Sequence, residues 1–186
     1  MRINDEKLVE QYIKDNNEHA LETLVKRYLP IIYGFIRNYT GNRDNAADIT
    51  QEVFVKVWKN IKKFDSSKSF KTWIFTIAKH TAIDWLKKKN ALPFSMLDDA
   101  DAEKSFADSL TDKSPSILEK LSLKESSREL KMAIEQLPFG YSSVINLHIN
   151  QEFSFREIAM ILKEPLNTVK SRYRRGLIFL KKLMGS

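Results

Sequence analysis

A run of cations near the C-terminus is the first feature of this chain that could do chemistry. Between Thr168 and Lys182 there are six Lys or Arg residues and no Asp or Glu. Arg and Lys can pair with guanine in the major groove and with phosphate, and a hydroxyl side chain can bond to several bases. The sequence therefore indicates DNA as the ligand of this segment. The candidate contacts are Thr168, Lys170, Ser171, Arg172, Arg174 and Arg175.

The residues around this run predict a helix-turn-helix. Ser154 followed by Glu157 is the pattern of a capping box, so a first helix is expected to begin there. A turn is expected over residues 163–166, with Asn167 as the N-cap of the second helix. In a helix-turn-helix the second helix enters the major groove. The alternative is a solvated basic face on an ordinary bundle helix. The predicted inner side of the second helix is Val169, Tyr173, Leu177 and Leu180.

The rest of the chain also reads as helical, with no convincing strand. It has only 5 Gly and 5 Pro, and its apolar residues recur at intervals of three and four. One helix is expected from Leu21, with Pro30 marking a break or kink and Gly41 a C-terminal cap. A further stripe, Leu130, Ile134 and Leu137, precedes Pro138.

Two more helices are expected before the middle of the chain. One runs from a cap at Asp44 or Asn45 to Ile61, with Phe54 and Trp58 widening its buried stripe. The other runs from about Phe70 to Lys89 after the polar loop 65–69, with Ser69 as a candidate N-cap. Its predicted inner face is Ile74, Ala78, Thr81 and Trp85.

The charge is distributed unevenly along the chain. The total is +7, made up of +6 over residues 1–90, −4 over 91–127 and +5 over 128–186. Residues 91–114 are acidic and only weakly periodic, and Ser114-Pro115 is typical of a helix start. We therefore predict an all-α fold of two small helical domains, 1–90 and 115–186, joined by a flexible acidic linker, 91–114. Such basic domains favour a polyanionic partner.

Composition also argues against several classes of protein. The chain has no Cys, and its three His residues are far apart, so neither a disulfide framework nor a metal site is expected. No apolar run approaches the roughly 18 residues of a membrane span, and the acidic N-terminus is unlike a signal peptide. Because no nucleophile, carboxylate pair or Gly-rich phosphate loop stands out, we expect no enzyme, cofactor or small-molecule substrate. A cytoplasmic protein without membrane insertion is predicted.

Two blocks of sequence carry a family resemblance. The segments DITQEVFVKVW (48–58), FKTWI (70–74) and IAKHTAID (77–84), with 24–41 before them, resemble region two of the extracytoplasmic-function (ECF) sigma factors of bacterial RNA polymerase. The segments FSFREIA (153–159) and TVKSR (168–172) resemble region four of that family. Because both blocks occur in this order around a linker, the chain resembles a sigma factor of the sigma-70 family over both of its domains.

The resemblance implies a role for each block. In the family, region four binds the −35 promoter element, while region two melts and captures the −10 element and grips the clamp of the largest polymerase subunit. By position, the candidate contacts to core polymerase are Asp48, Gln51, Glu52 and Val55. The alternative interpretation is that the acidic residues of this set are ordinary solubilising side chains near a helix N-terminus, where negative charge is favoured.

The loop 65–69 and the helix after it match the family's −10 reader. Ser67 and Lys68 could hydrogen-bond an extruded base, and Lys71 and Lys79 could hold phosphate. Trp73 and His80 offer planar surfaces for stacking, although a Trp at such a position is more often part of a core.

One position departs from the family pattern. Lys163 stands where the turn commonly has glycine, so this lysine must have a left-handed backbone or the turn must be altered.

The resemblance also implies an anti-sigma factor as a partner. A helix-turn-helix regulator outside the polymerase is the main alternative, but it leaves the Asp48 helix and residues 64–89 without a role. A helical nucleic-acid enzyme and a polymerase-binding decoy are the others.

Overall fold

The computed structural model describes residues 3–40, 43–88 and 127–184. All regular structure in these ranges is helical, and contacts divide the chain into two compact units, with Met1–Lys89 in the first and most of the remaining chain in the second. The predicted all-α class with two helical domains is confirmed. The predicted linker 91–114, the start at Ser114-Pro115 and the cap at Gly41 lie outside the described residues.

Four α-helices build the first unit. They are α1 (Asp5–Asp15), α2 (Glu18–Thr40), α3 (Arg43–Asn60) and α4 (Phe70–Lys88), with a 3-10 turn at Ile61–Lys63 between the last two. The central helix α2 packs against α1, α3 and α4, and α3 packs against α4. The side chains less than 2% exposed at this core include Leu24, Ile32, Ile36, Ile49, Ile61, Phe70, Ile74 and Phe75.

Of the two outcomes expected at Pro30, a break or a kink, the break is excluded, since α2 is one continuous helix through this residue. Proline removes one helical N–H, which normally costs several kcal/mol, ~3 or more, in a helix interior. Here Pro30 lies on the exposed side, where water can bond to the carbonyl of Lys26. Tyr28 and Ile32 on either side are buried and hold the helix in the core.

Three further features of the first unit differ from expectation. Helix α3 begins at Arg43, so Asp44 and Asn45 are inside it and are not its caps. Trp58 is 60% exposed and does not widen the buried stripe. Helix α1 was not predicted, although Asn4 caps it by accepting a 2.9 Å bond from the Glu6 N–H and it buries Leu8, Val9 and Tyr12.

Residues 127–184 contain four further α-helices. They are α5 (Ser127–Glu135), α6 (Phe139–Ile145, followed by a π turn at Asn146–Asn150), α7 (Phe155–Leu162) and α8 (Leu166–Leu183). Helix α6 packs along α8, and α5 contacts both. Their shared core is Ala133, Ile134, Leu137, Ile145, Leu177 and Leu180.

Two helical glycines make a matched test of packing. A Cβ at Gly176 would lie 2.6 Å from Ile145 Cδ1 and 3.3 Å from Tyr141 Cβ, and Ile145 is fully buried. A Cβ at Gly34 would meet nothing within 4 Å. We expect Gly176→Ala to lower the free energy of unfolding of the second unit by about 1–3 kcal/mol through overpacking. Gly34→Ala should raise that of the first unit by about 0.5–1 kcal/mol through helix propensity.

Amide hydrogen exchange reports the two units separately, with the protected amides of α2 and α6 as probes. A Gly176→Ala protein whose α6 amides exchange no faster than those of the wild type would contradict the packing argument.

Candidate nucleic-acid and protein interfaces

The predicted capping box at the start of α7 is confirmed. The Ser154 N–H donates to Glu157 Oε2 at 2.8 Å, and the Glu157 N–H donates to Ser154 Oγ at 3.3 Å. Helix α7 begins at Phe155, and its Ile158 is fully buried. The reciprocal bonds satisfy two N–H groups at this helix start and fix its direction.

The turn between α7 and α8 has an unusual backbone at Lys163. Its φ of 54° is left-handed, which is one of the two outcomes predicted for a lysine in place of glycine. This conformation costs a non-glycine residue about 1–2 kcal/mol. The predicted N-cap, Asn167, is wrong, because α8 begins one residue before it at Leu166. Pro165 is the N-cap, and its carbonyl accepts the Val169 N–H at 3.1 Å.

An aromatic cluster holds the inner side of α8. His148 stacks on Phe155 with ring centroids 4.4 Å apart, and Tyr173 lies edge-on to both rings. Nδ1 of His148 is 2.8 Å from the Phe153 carbonyl oxygen, which fixes the imidazole. Burial raises the pKa of Tyr173, so its phenol stays neutral. These rings join the π turn, α7 and α8, and so set the angle at which α8 presents its outer side.

Helix α8 presents two of its cations on one exposed face. Lys170 and Arg174 are exposed and four residues apart, so they lie one turn apart on the same side of the helix. The other predicted contacts, Thr168, Ser171, Arg172 and Arg175, are half-buried. Lys181 and Lys182 are exposed in the last turn. The geometry thus brings the predicted DNA contacts together in the N-terminal two thirds of the helix.

The loop 65–69 of the first unit is exposed and internally bonded. Asp65 Oδ1 accepts the Ser67 N–H at 3.1 Å and the Ser67 hydroxyl at 2.7 Å. The Lys68 N–H donates to the Asp65 carbonyl at 3.0 Å. The bonds from Ser67 and the nearby Lys68 ammonium lower the pKa of Asp65. The predicted cap of α4 is confirmed, since Ser69 Oγ accepts the Thr72 N–H at 3.2 Å.

Aromatic rings close the base of this loop. Phe64 and Phe70, the residues on its two sides, meet with centroids 5.7 Å apart. Trp73 lies against them at 5.1 and 5.6 Å. Trp73 is therefore partly a structural residue, although its half-buried ring keeps an accessible side.

The remaining candidates for the −10 element lie along α4. Lys71, Lys79 and His80 are all half-buried. His80 is seven residues from Trp73 and so on the same side of the helix. Burial lowers the pKa of His80 below its ordinary 6.5, so the imidazole is neutral at pH 7 and suited to stacking rather than to pairing with phosphate.

Helix α3 presents a mixed polar and apolar strip. Asp48, Gln51 and Val55 are exposed, as predicted for this surface. Glu52 is half-buried and forms a 3.0 Å ion pair with Lys56. Sequence reasoning missed Trp58, which continues the strip three residues after Val55 and is 60% exposed. Its spacing of seven from Gln51 was the signal that could have placed it there.

Comparison with known proteins identifies the family. The model described as Sigma-70 region 2 matches residues 24–91, and that described as Sigma-70, region 4 matches residues 127–180. The ECF RNA polymerase sigma factor SigW of Bacillus subtilis is 35% identical over 91% of each chain. This chain belongs to the ECF sigma factors of the sigma-70 family. The sigma factor is also 31% identical to the ECF RNA polymerase sigma-E factor of Escherichia coli, over 94% of this chain and 91% of that one.

Solved structures agree with the fold of this sigma factor. The sigma factor RpoE of Bartonella quintana, in complex with the anti-sigma factor NepR, matches with a TM-score of 0.64 at 22% identity, covering 88% of this chain and 96% of that one. CnrH, in complex with the cytosolic domain of CnrY, matches with a TM-score of 0.65 at 20% identity, covering 97% and 96%.

Membership of the family confirms two predictions. The chain is an alternative sigma factor that acts in transcription initiation, and it is not an enzyme. Within residues 3–40, 43–88 and 127–184, none of the helices combines the length and apolar character that crossing a bilayer would need.

Proposed function

We propose that this sigma factor binds core RNA polymerase through the outer strip of α3 and reads a promoter with two separate surfaces. Region two, residues 1–90, carries the polymerase contact and the −10 reader. Region four, residues 115–186, carries the −35 reader, and residues 91–114 join them. The protein acts in the cytoplasm, where polymerase and promoter DNA are.

The face of α8 supports the assignment of the −35 element. Lys170 and Arg174 project from one face of a helix that has no acid between Thr168 and Lys182. Arg and Lys donate hydrogen bonds to guanine O6 and N7, and the hydroxyl of Ser171 can hydrogen-bond to either base of a pair. Half-buried Arg172 and Arg175 are placed for the phosphates that flank the groove.

The loop 65–69 supports the assignment of the −10 element. Its bonds to Asp65 shape it in advance, so ordering the loop costs little when DNA binds. Ser67 and Lys68 are exposed at its tip and can bond to the edge of an extruded base. Lys71 and Lys79 take the backbone of the single strand, and Trp73 and His80 offer ring faces along α4.

The strip on α3 supports the polymerase contact. Asp48, Gln51 and Glu52 supply acids and an amide for a basic partner such as the clamp of the largest subunit. Val55 and Trp58 add exposed apolar surface beside them. Large aromatic side chains of this kind often contribute most of the binding energy of a protein interface.

An anti-sigma factor is the proposed regulator. RpoE, which shares the fold, was solved in complex with the anti-sigma factor NepR, and CnrH, which also shares it, in complex with the cytosolic domain of CnrY. A partner that covers Val55 and Trp58 would block the polymerase contact directly.

Run-off transcription tests the proposal. Purified core polymerase is assayed with and without this protein on a library of promoter-length duplexes. Discrete starts that need the protein are expected, and alignment of the selected duplexes gives the two elements. Absence of both initiation and core binding would favour a regulator outside the polymerase, whereas core binding without initiation would favour a decoy.

A further inference from the structure

Helix α1 contacts the chain on both sides of the loop 65–69. Helix α1 packs against the 3-10 turn Ile61–Lys63, which precedes the loop, and against α4, which follows it. The direct link is a hydrogen bond of 2.9 Å from the backbone N–H of Phe70 to Glu6 Oε1. Sixty-four residues separate the two partners along the chain.

This bond holds the point at which the chain leaves the loop. The first N–H groups of a helix have no partner within it, and a carboxylate is favoured there by the helix dipole. In α4, Ser69 Oγ accepts the N–H of Thr72, and Glu6 accepts that of Phe70. Phe70 directly follows the loop, so its amide orientation determines the path of the backbone through Ser69.

Helix α1 is itself anchored next to this bond. Asp5 forms an ion pair with Arg27 and accepts a hydrogen bond from the Tyr28 hydroxyl, both on α2. Burial and the neighbouring Asp5 carboxylate raise the pKa of Tyr28, so its phenol remains a donor throughout the physiological range. The ring of Tyr28 meets Phe70 edge-on at 5.4 Å. These contacts therefore link α1, α2 and α4 to one another at Glu6 and Phe70.

We infer that Glu6 is a positioning residue for capture of the −10 element. Its carboxylate fixes the end of the loop and thereby the direction in which Ser67 and Lys68 point at the extruded base. The inference rests on the proposed role of the loop. It assigns to α1, which carries none of the predicted DNA contacts, a part in promoter reading.

The test uses holoenzyme made from the full chain and core polymerase. Its probe is a single-stranded oligonucleotide with the non-template −10 sequence recovered by the run-off selection. Glu6→Ala is expected to weaken binding of the oligonucleotide about tenfold, the scale of a lost helix cap, and to speed hydrogen exchange at the Phe70 amide. Glu6→Gln keeps an acceptor oxygen and should stay within about threefold of wild type.

Glu10→Ala is the matched control. Glu10 lies one turn further along α1 and pairs with Lys14 at 3.8 Å. This variant removes the same charge and should bind the oligonucleotide like wild type. Affinity for core polymerase should be unchanged in all three variants.

A loop variant separates failure of the inference from failure of the proposed function. Ser67→Ala with Lys68→Ala removes the tip contacts themselves. If this variant binds the oligonucleotide like wild type, the loop is not the −10 reader and both ideas fall. If it weakens binding while Glu6→Ala does not, only the positioning role is wrong. Equal loss of core affinity and oligonucleotide binding in Glu6→Ala would show a general folding role and overturn the inference.

Discussion

Replacing Lys170 and Arg174 together by Ala is expected to reduce run-off transcription from the selected promoter about 30-fold or more, because each side chain that reads a base is worth about 1–3 kcal/mol. The two cations lie one turn apart on the exposed face of α8. The reduction should appear in promoter affinity of the holoenzyme, and it should shrink on duplexes whose −35 element is scrambled, because such duplexes have already lost the bases that the two residues read.

The matched control removes the same charge from the same helix. Lys181 and Lys182 are exposed in the last turn of α8, about two turns beyond Arg174 and outside the segment that holds the predicted contacts. The double Ala variant at these two positions should keep the wild-type preference for promoter sequence. It should lose only the electrostatic part of the affinity for DNA, which high salt also weakens. Equal losses in both double variants would show that α8 acts through bulk charge and would contradict base reading.

Ala substitution of Trp58 is expected to weaken binding to core polymerase about 30-fold or more, since a buried aromatic anchor is typically worth about 2 kcal/mol or above. Trp58 is 60% exposed in the free protein and has apolar surface available for a partner. Because its side chain is outside the core, the variant should unfold at the same denaturant concentration as wild type. Fluorescence anisotropy of labelled protein with core polymerase measures the affinity.

A second pair of variants tests whether the location of the surface matters. Val55 on α3 is 47% exposed and Leu29 on α2 is 46% exposed, so truncation to Ala removes similar accessible side chains. Val55→Ala should weaken core binding about threefold to tenfold, while Leu29→Ala should not change it. A decrease for Leu29→Ala as large as that for Val55→Ala would place the polymerase contact elsewhere or spread it over the first unit.

Local patterns in the sequence were sufficient for most of the helices and for the helix-turn-helix. Apolar spacing of three and four marks a buried face directly, as at Ile49, Val53 and Val57, which are all buried. The capping box needs only Ser154 and Glu157, three residues apart. Recognition of the two sigma regions then rested on segments whose order along the chain can be read without a structure.

Features set by tertiary contacts could not be predicted in the same way. Trp58 lies at the edge of a helical stripe, where periodicity does not decide between core and solvent. The sequence predicts a break or kink at Pro30, but α2 runs through this residue unbroken because packing of Tyr28 and Ile32 outweighs the lost hydrogen bond. The bond between Glu6 and Phe70 joins residues that no local pattern relates.

The aromatic contact between Phe64 and Phe70 means that the loop is folded by one set of residues and would bind DNA through another. The residues that fold the loop are buried at its base, whereas the residues that would meet DNA are exposed at its tip. If the tip reads the −10 element as proposed, mutations there are expected to alter promoter preference with little effect on the stability of the unit. On that proposal, a few substitutions in the loop would change the set of promoters recognised, while the buried residues that fold the unit stay the same.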